Sequence, residues 1–160
     1  MTSEEHILSI HEAGHGCYAA MSAMDVRAVV LHQPGSRQDE GGRCELHDMP
    51  GEQDNNPARF LTFLLAGGSA EYRAVGRRSA RDASDREHAT TLCALAILQQ
   101  EPTSPAVLEM MRTAQALADA AMRNEDLWRW IERVARELVK KRRLTGRDIY
   151  ELRPAAEARR

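Results

Sequence analysis

The chain has 160 residues and a formal net charge of −2, and only 4% of its residues are aromatic. This length is typical of one compact domain with a substantial core. The small net charge gives no electrostatic support for a nucleic-acid partner or an anionic membrane surface. The N-terminal residues are acidic, and no apolar run approaches the roughly 20 residues of a membrane span. We expect a mainly α-helical, cytoplasmic protein with no nucleic-acid or membrane partner.

The three cysteines, Cys17, Cys44 and Cys93, are odd in number and lack the spacing of a metal site. The sequence therefore implies no disulfide framework. We expect buried thiols in a reducing compartment.

The first predicted helix runs from Ser3 to about Met24. Thr2 and Glu5 form a capping box at its start, and apolar residues recur along it at helical spacing. The most informative motif of the chain, HEAGH at 11–15, therefore lies on a helix.

HEAGH has the H-E-x-x-H pattern of zinc metallopeptidases. His11 and His15 lie one turn apart on the same helical face and can bind one metal ion together. Glu12 could reach a water molecule on the open side of the metal and serve as general base. Gly14 costs about 1 kcal/mol relative to alanine inside a helix, which indicates a close neighbour. The alternative is a pair of partly buried histidines that only hydrogen-bond to backbone or carboxylate, with Glu12 as a solvated neighbour.

The next two segments, 26–32 and 42–48, predict a two-stranded β-ribbon beside the metal helix. The first is rich in β-branched residues. The second alternates, with Cys44 and Leu46 on one face. Such a ribbon could bind an extended peptide as an added strand, or it could be purely structural.

The remainder of the chain predicts five more helices, which brings the total to six. Asn56 and Pro57 open the second helix and Gly76 closes it, whereas the third starts at Ala83 or Ser84. The predicted ranges are 57–75, 83–100, 105–124, 125–143 and 144–152. We expect a single domain, 1–153, followed by a flexible tail, 154–160.

Two features of these helices predict packing. Gly67 and Gly68 inside the second helix indicate tight contact with a neighbouring helix. The third helix offers Leu92, Leu95 and Leu98 to the core at helical spacing.

A catalytic zinc ion needs a third protein ligand. The HExxHxxGxxH class is excluded, because Met21 stands where its third histidine would be. The spacing of residues does not choose among the remaining candidates, which are His6, His32, His47, Asp82, Asp85, Glu87 and His88.

Four segments of the chain, taken in sequence order, resemble the peptidase domain of the FtsH-type ATP-dependent zinc proteases. They are HEAGHGCYAAM, FLLAGGSAEYRAVG, ASDREHAT and ELVKKRRLTGRDIYEL. The resemblance covers nearly the whole chain. It implies an FtsH-peptidase-like fold, with zinc bound by His11, His15 and Asp85 and with Glu12 as the base.

The chain departs from the family pattern at three positions near the proposed site. Ser84 stands where the family usually has asparagine, Gly16 replaces an alanine, and His88 introduces a possible rival ligand. Asp85 also has a purely structural interpretation, because a carboxylate in the first turn stabilises a helix N-terminus.

The sequence contains no GxxxxGK[ST] phosphate loop, so we expect no ATPase activity of its own. The resemblance then implies a zinc metalloendopeptidase that cleaves flexible or unfolded polypeptides, unless a separate ATPase delivers its substrates. The alternative is a catalytically silent metal-binding or protein-interaction domain derived from such a protease.

Overall fold

The computed structural model of the chain describes residues 4–32, 41–47 and 56–155. The described part contains six α-helices, and the predicted mainly α-helical fold is confirmed. The helices are α1 (Glu4–Met21), α2 (Pro57–Val75), α3 (Ala80–Leu92), α4 (Pro105–Met122), α5 (Glu125–Lys141) and α6 (Gly146–Glu151). The strands are β1 (Val26–Leu31), β2 (Gly42–Leu46) and β3 (Arg143–Thr145). Thr2 of the predicted capping box and residues 156–160 of the predicted tail lie outside the described residues.

Helix α1 lies at the centre of the fold, where it packs against α2, α5 and the sheet. Every residue from Leu8 to Ala20 is buried. A helix that is buried all round is normally apolar, yet this one carries HEAGH. Its polar side chains must therefore find partners inside the protein. None of the described helices combines the length and the apolar character needed to cross a bilayer.

Helices α1 and α2 approach each other through glycines, as predicted. A Cβ atom added to Gly14 would lie 2.7 Å from the Cβ of Ala70 and 3.0 Å from the carbonyl oxygen of Ala66. A Cβ atom on Gly67 would overlap the imidazole of His15. The absence of side chains at these positions therefore lets α1 lie directly on α2.

Helix α2 also has the predicted ends. The side chain of Asn56 accepts a hydrogen bond from the backbone N–H of Arg59 at 3.1 Å. Gly76 ends the helix in a left-handed conformation with φ of 70°, which glycine adopts without strain.

The predicted ribbon is part of a three-stranded antiparallel sheet of order β2–β1–β3. Val29 of β1 pairs with Cys44 on one side and with Leu144 on the other. The prediction that Leu144 opens the last helix is therefore wrong. Thr145 caps α6 instead, in a capping box with Asp148. Strand β3 has only three residues and exists through its pairing with distant β1, so no local pattern announces it.

Helix α3 begins earlier than predicted and continues into a π-helical segment, Cys93–Leu98. Ser79 caps its N-terminus, so the helix starts at Ala80 rather than at residue 83 or 84. The wider turn of the π-helix breaks the 3.6-residue periodicity on which the predicted core positions depended. Leu95 is consequently 66% exposed rather than buried.

Candidate metal centre

The two histidines of α1 direct the same nitrogen, Nε2, toward a common point. The Nδ1 atom of His15 donates a hydrogen bond to the carbonyl oxygen of Phe63 at 2.8 Å. The Nδ1 atom of His11 donates to the carboxylate of Glu71 at 3.2 Å. Because both Nδ1 atoms are engaged in hydrogen bonds, the Nε2 atoms, which lie 3.2 Å apart, are oriented as a pair of ligands.

Asp85 of α3 completes a triangle with the two imidazoles. Its Oδ2 atom lies 2.9 Å from Nε2 of His11 and 3.3 Å from Nε2 of His15. Ligands bound at about 2.0 Å in a tetrahedral arrangement are separated by about 3.3 Å, so these spacings suit a small metal ion. His11, His15 and Asp85 thus form a group that could hold such an ion.

Helix α3 brings Asp85 to the centre because its first turns are anchored on α2. Asp82 is buried against Gly68, where any Cβ atom would overlap the carboxylate. Two arginines neutralise this carboxylate, Arg78 at 3.1 Å and Arg86 at 3.3 Å. Asp82 is therefore the structural carboxylate in the first turn, whereas Asp85 lies one turn further along and faces α1.

Glu71 links all three helices of the site, and it is not among the site residues predicted from the sequence. Its Oε2 atom accepts the hydrogen bond from His11 and another from the hydroxyl of Ser79 at 2.9 Å. Its side chain is 3% exposed. The signal available in the sequence is an acidic residue within the otherwise small and apolar run AGGSAEY, which requires a buried partner.

Glu12 lies beside the candidate metal centre and lines a cleft of about 530 Å³. The residue is 4% exposed and packs against β2, where a Cβ atom on Gly42 would lie 2.7 Å from its Cγ atom. The cleft is also lined by His11 and Asp85. The candidate base and two candidate ligands therefore border the same open space.

The ionisable side chains of the site shift one another's pKa values. Burial alone would lower the pKa of His11, but hydrogen bonds to Asp85 and Glu71 outweigh this effect and raise the pKa to about 9. Burial would raise the pKa of Asp85, yet hydrogen bonds from His11 and His15 hold it well below its usual range. Burial raises the pKa of Glu12, which makes its carboxylate a stronger proton acceptor than an exposed one.

The other candidate ligands do not join the group. Among the described residues, the cluster with metal-ligand spacing consists of His11, His15 and Asp85 alone. His88 and Glu87 are exposed on α3, and the Nε2 atom of His32 contacts Arg43 at 3.0 Å. The remaining candidates outside the group are His6, His47 and Asp82.

The cysteines stay apart from this centre. All three are free thiols; Cys17 and Cys93 are buried as predicted, whereas Cys44 is only partly buried. None of them belongs to the metal-binding group of the described residues.

No protein-family model matches the chain, and no curated protein matches it at a significant level.

We predict that Glu71→Gln weakens the binding of a divalent metal ion by about 10- to 100-fold, because the partner that orients a ligating histidine contributes to metal affinity. The measurement is competition with a chromophoric chelator. Glu87→Gln makes the same chemical change at an exposed position of α3 and should leave the affinity unchanged. Equal affinities in Glu71→Gln and wild type would show that this hydrogen bond does not support the ligand.

We also predict a pH dependence of stability after chelation of divalent metals. The pKa of His11 rises from 6.5 to about 9 on folding, so its contribution is fully present below pH 6.5 and is lost as the pH rises through about 9. The raised pKa of Glu12 acts in the same direction. Urea midpoints of the chelated protein should therefore fall across this range, with a smaller fall in His11→Gln. A midpoint that stays constant or rises would contradict the assigned charges.

Proposed function

We propose that the chain is a cytoplasmic, zinc-dependent metalloendopeptidase-like protein. The observation that carries the proposal is the convergence of two Nε2 atoms and one carboxylate oxygen, all within 3.3 Å of one another, next to a buried glutamate. These side chains come from α1 and α3, 74 residues apart in the case of His11 and Asp85. The order and roles of the residues are those implied by the resemblance to the FtsH-type peptidases.

The chemistry of the donor set supports zinc as the metal. Two imidazoles and one carboxylate form a common ligand set of catalytic zinc, and three protein ligands leave a coordination position for water or substrate. When bound, zinc supplies Lewis-acid chemistry, which acidifies water and polarises a carbonyl group. The hydrogen bonds that the Nδ1 atoms of His11 and His15 donate support this assignment, because ligating histidines usually donate their second N–H to such an acceptor.

Glu12 would handle the protons of peptide hydrolysis. Its carboxylate borders the cleft beside His11 and Asp85, where it could accept a proton from the attacking water and deliver it to the leaving amine. The residue follows His11 on α1 and lies about 100° around the helix axis from it, so it faces the cleft rather than the metal. Burial restricts the access of water to Glu12 and raises the pKa of its carboxylate.

The shape of the site supports a flexible polypeptide as substrate. Strand β2 is an edge strand within the described part of the chain, and its first residue, Gly42, lines the cleft next to Glu12. An extended segment could pair with this edge through backbone hydrogen bonds, which demands little of the substrate's sequence. Folded substrates would need a separate ATPase to deliver them.

Glu12→Gln tests the proposal. We expect zinc to remain bound, because Glu12 is not a ligand, while hydrolysis of an unfolded casein-like substrate falls by at least about 100-fold. Glu109→Gln, an exposed change on α4, should leave the rate unchanged. Zinc content is measured by elemental analysis and hydrolysis by release of fluorescent peptides.

The same assay separates the proposal from its alternative. A wild-type protein that binds stoichiometric zinc and hydrolyses nothing would be the catalytically silent metal-binding domain. Hydrolysis that persists undiminished in Glu12→Gln would show that another group is the base.

A further inference from the structure

Arg81 is a cation at the wall of the same cleft. It is the second residue of α3, and it lines the cleft together with Glu12 and Asp85. Its side chain extends toward the sheet, because its Nε atom lies 3.1 Å from the position that a Cβ atom on Gly41 would occupy. The guanidinium therefore lies between α3 and the start of β2, where a substrate paired with β2 would pass.

The guanidinium of Arg81 has no partner within the described residues. Its backbone N–H donates to the Ser79 hydroxyl, but its side chain takes part in no hydrogen bond or ion pair with the residues that the structure describes. The neighbouring arginines behave differently, since Arg78 and Arg86 both pair with Asp82. Among these three arginines, Arg81 is the one whose guanidinium is unpaired within the described residues, and it borders the candidate metal centre.

The position of Arg81 on its helix is locally unfavourable. The N-terminal turn of a helix carries partial positive charge, so a cation there lowers helix stability. Residues that break a local rule without a compensating contact are expected at functional sites. Arg81 lowers helix stability in this way, yet the N–H donors of its guanidinium form no hydrogen bond within the described residues. These donors lie in one plane and match the geometry of a carboxylate.

One structural role for Arg81 is electrostatic balance. Burial raises the pKa of Glu12, and the positive charge of Arg81 opposes that rise from a distance. Arg81 makes no hydrogen bond to Glu12 or Glu71 in the described residues, so this balance leaves its donors unused. In the Glu12→Gln variant, residue 12 carries no charge for Arg81 to balance. An effect of Arg81 on ligand binding in that variant therefore cannot come from electrostatic balance with Glu12.

We propose that Arg81 binds a carboxylate of the polypeptide substrate beside the metal centre, an inference that rests on the proposed peptidase function. Arg81 precedes Asp85 by four residues, which is about 6 Å along the helix axis. An extended peptide advances about 3.3 Å per residue, so the carboxylate belongs within about two residues of the cleaved bond. Its source is either an acidic side chain or the free C-terminus of the substrate.

The experiment measures peptide binding to zinc-loaded Glu12→Gln by fluorescence anisotropy. The probes are short, unstructured, N-terminally labelled peptides of one parent sequence. One set is amidated and carries glutamate at successive positions, one carries glutamine instead, and one carries glutamine with a free C-terminus. Glutamate and free C-terminus thus report separately on the two sources of the carboxylate.

We expect either the glutamate peptides or the peptides with a free C-terminus to bind at least about tenfold more tightly than the neutral amidated peptide. A charge-assisted hydrogen bond to Arg81 would provide a gain in affinity of this size. Adding Arg81→Gln should abolish this preference without changing the affinity of the neutral peptide. Arg77→Gln removes the same charge from an exposed residue before α3 and should retain the preference. A merely structural role for Arg81 would weaken all peptides alike.

Several results would overturn the inference: equal affinity for charged and neutral peptides, a preference that survives Arg81→Gln, or no binding of any peptide. Casein hydrolysis by the wild type reads out the proposed function independently. If casein is cleaved and carboxylates are not preferred, only the role of Arg81 fails. If no casein is cleaved while Arg81 confers the preference, the peptidase proposal fails and the carboxylate site stands.

Discussion

Burial of polar side chains on the central helix is the constraint on which this structure depends. His11 and His15 are 2% and 7% exposed, so their ring nitrogens must find partners within the protein, whereas Glu12, which is 4% exposed, borders the cleft. Helix α2 provides the hydrogen-bond acceptors for the Nδ1 atoms of the histidines, namely the Phe63 carbonyl and the Glu71 carboxylate. The Nε2 atoms contact the carboxylate of Asp85 on α3. A fold organised around these polar atoms is consistent with a core helix that serves a site.

Helix α2 is as important to the site as the helix that carries the motif. Its glycines remove the side chains that would hold α1 and α3 away, since Gly67 faces His15 and Gly68 faces Asp82. Its Glu71 ties His11 to Ser79 at the start of α3. The spacing between the histidines and Asp85 is therefore set by a helix that contributes no proposed ligand.

The sequence predicted the parts of the site that depend on local spacing. The helical periodicity of α1 places His11 and His15 on one face, and capping residues such as Asn56 locate the start of α2. Asp85 is different, because no spacing rule relates two helices that pack through distant contacts. Its role followed only from the resemblance of ASDREHAT to a family segment.

Glu71 and β3 could not be predicted in this way, since each depends on tertiary contacts. Arg81 could not be predicted either, because its proposed role follows from its place on the wall of the cleft. Glu71 matters through a partner 60 residues earlier in the chain, and β3 exists only beside β1. Leu95 was predicted as a core residue because a π-helical segment has no signature in the 3.6-residue pattern.

The most direct test of the central claim is a crystal structure of the zinc-loaded protein with anomalous data collected on both sides of the zinc absorption edge. We expect a single strong zinc peak at about 2.0–2.2 Å from Nε2 of His11, Nε2 of His15 and a carboxylate oxygen of Asp85. A peak that lies elsewhere, or one that Asp85 does not coordinate, would contradict the proposed metal centre.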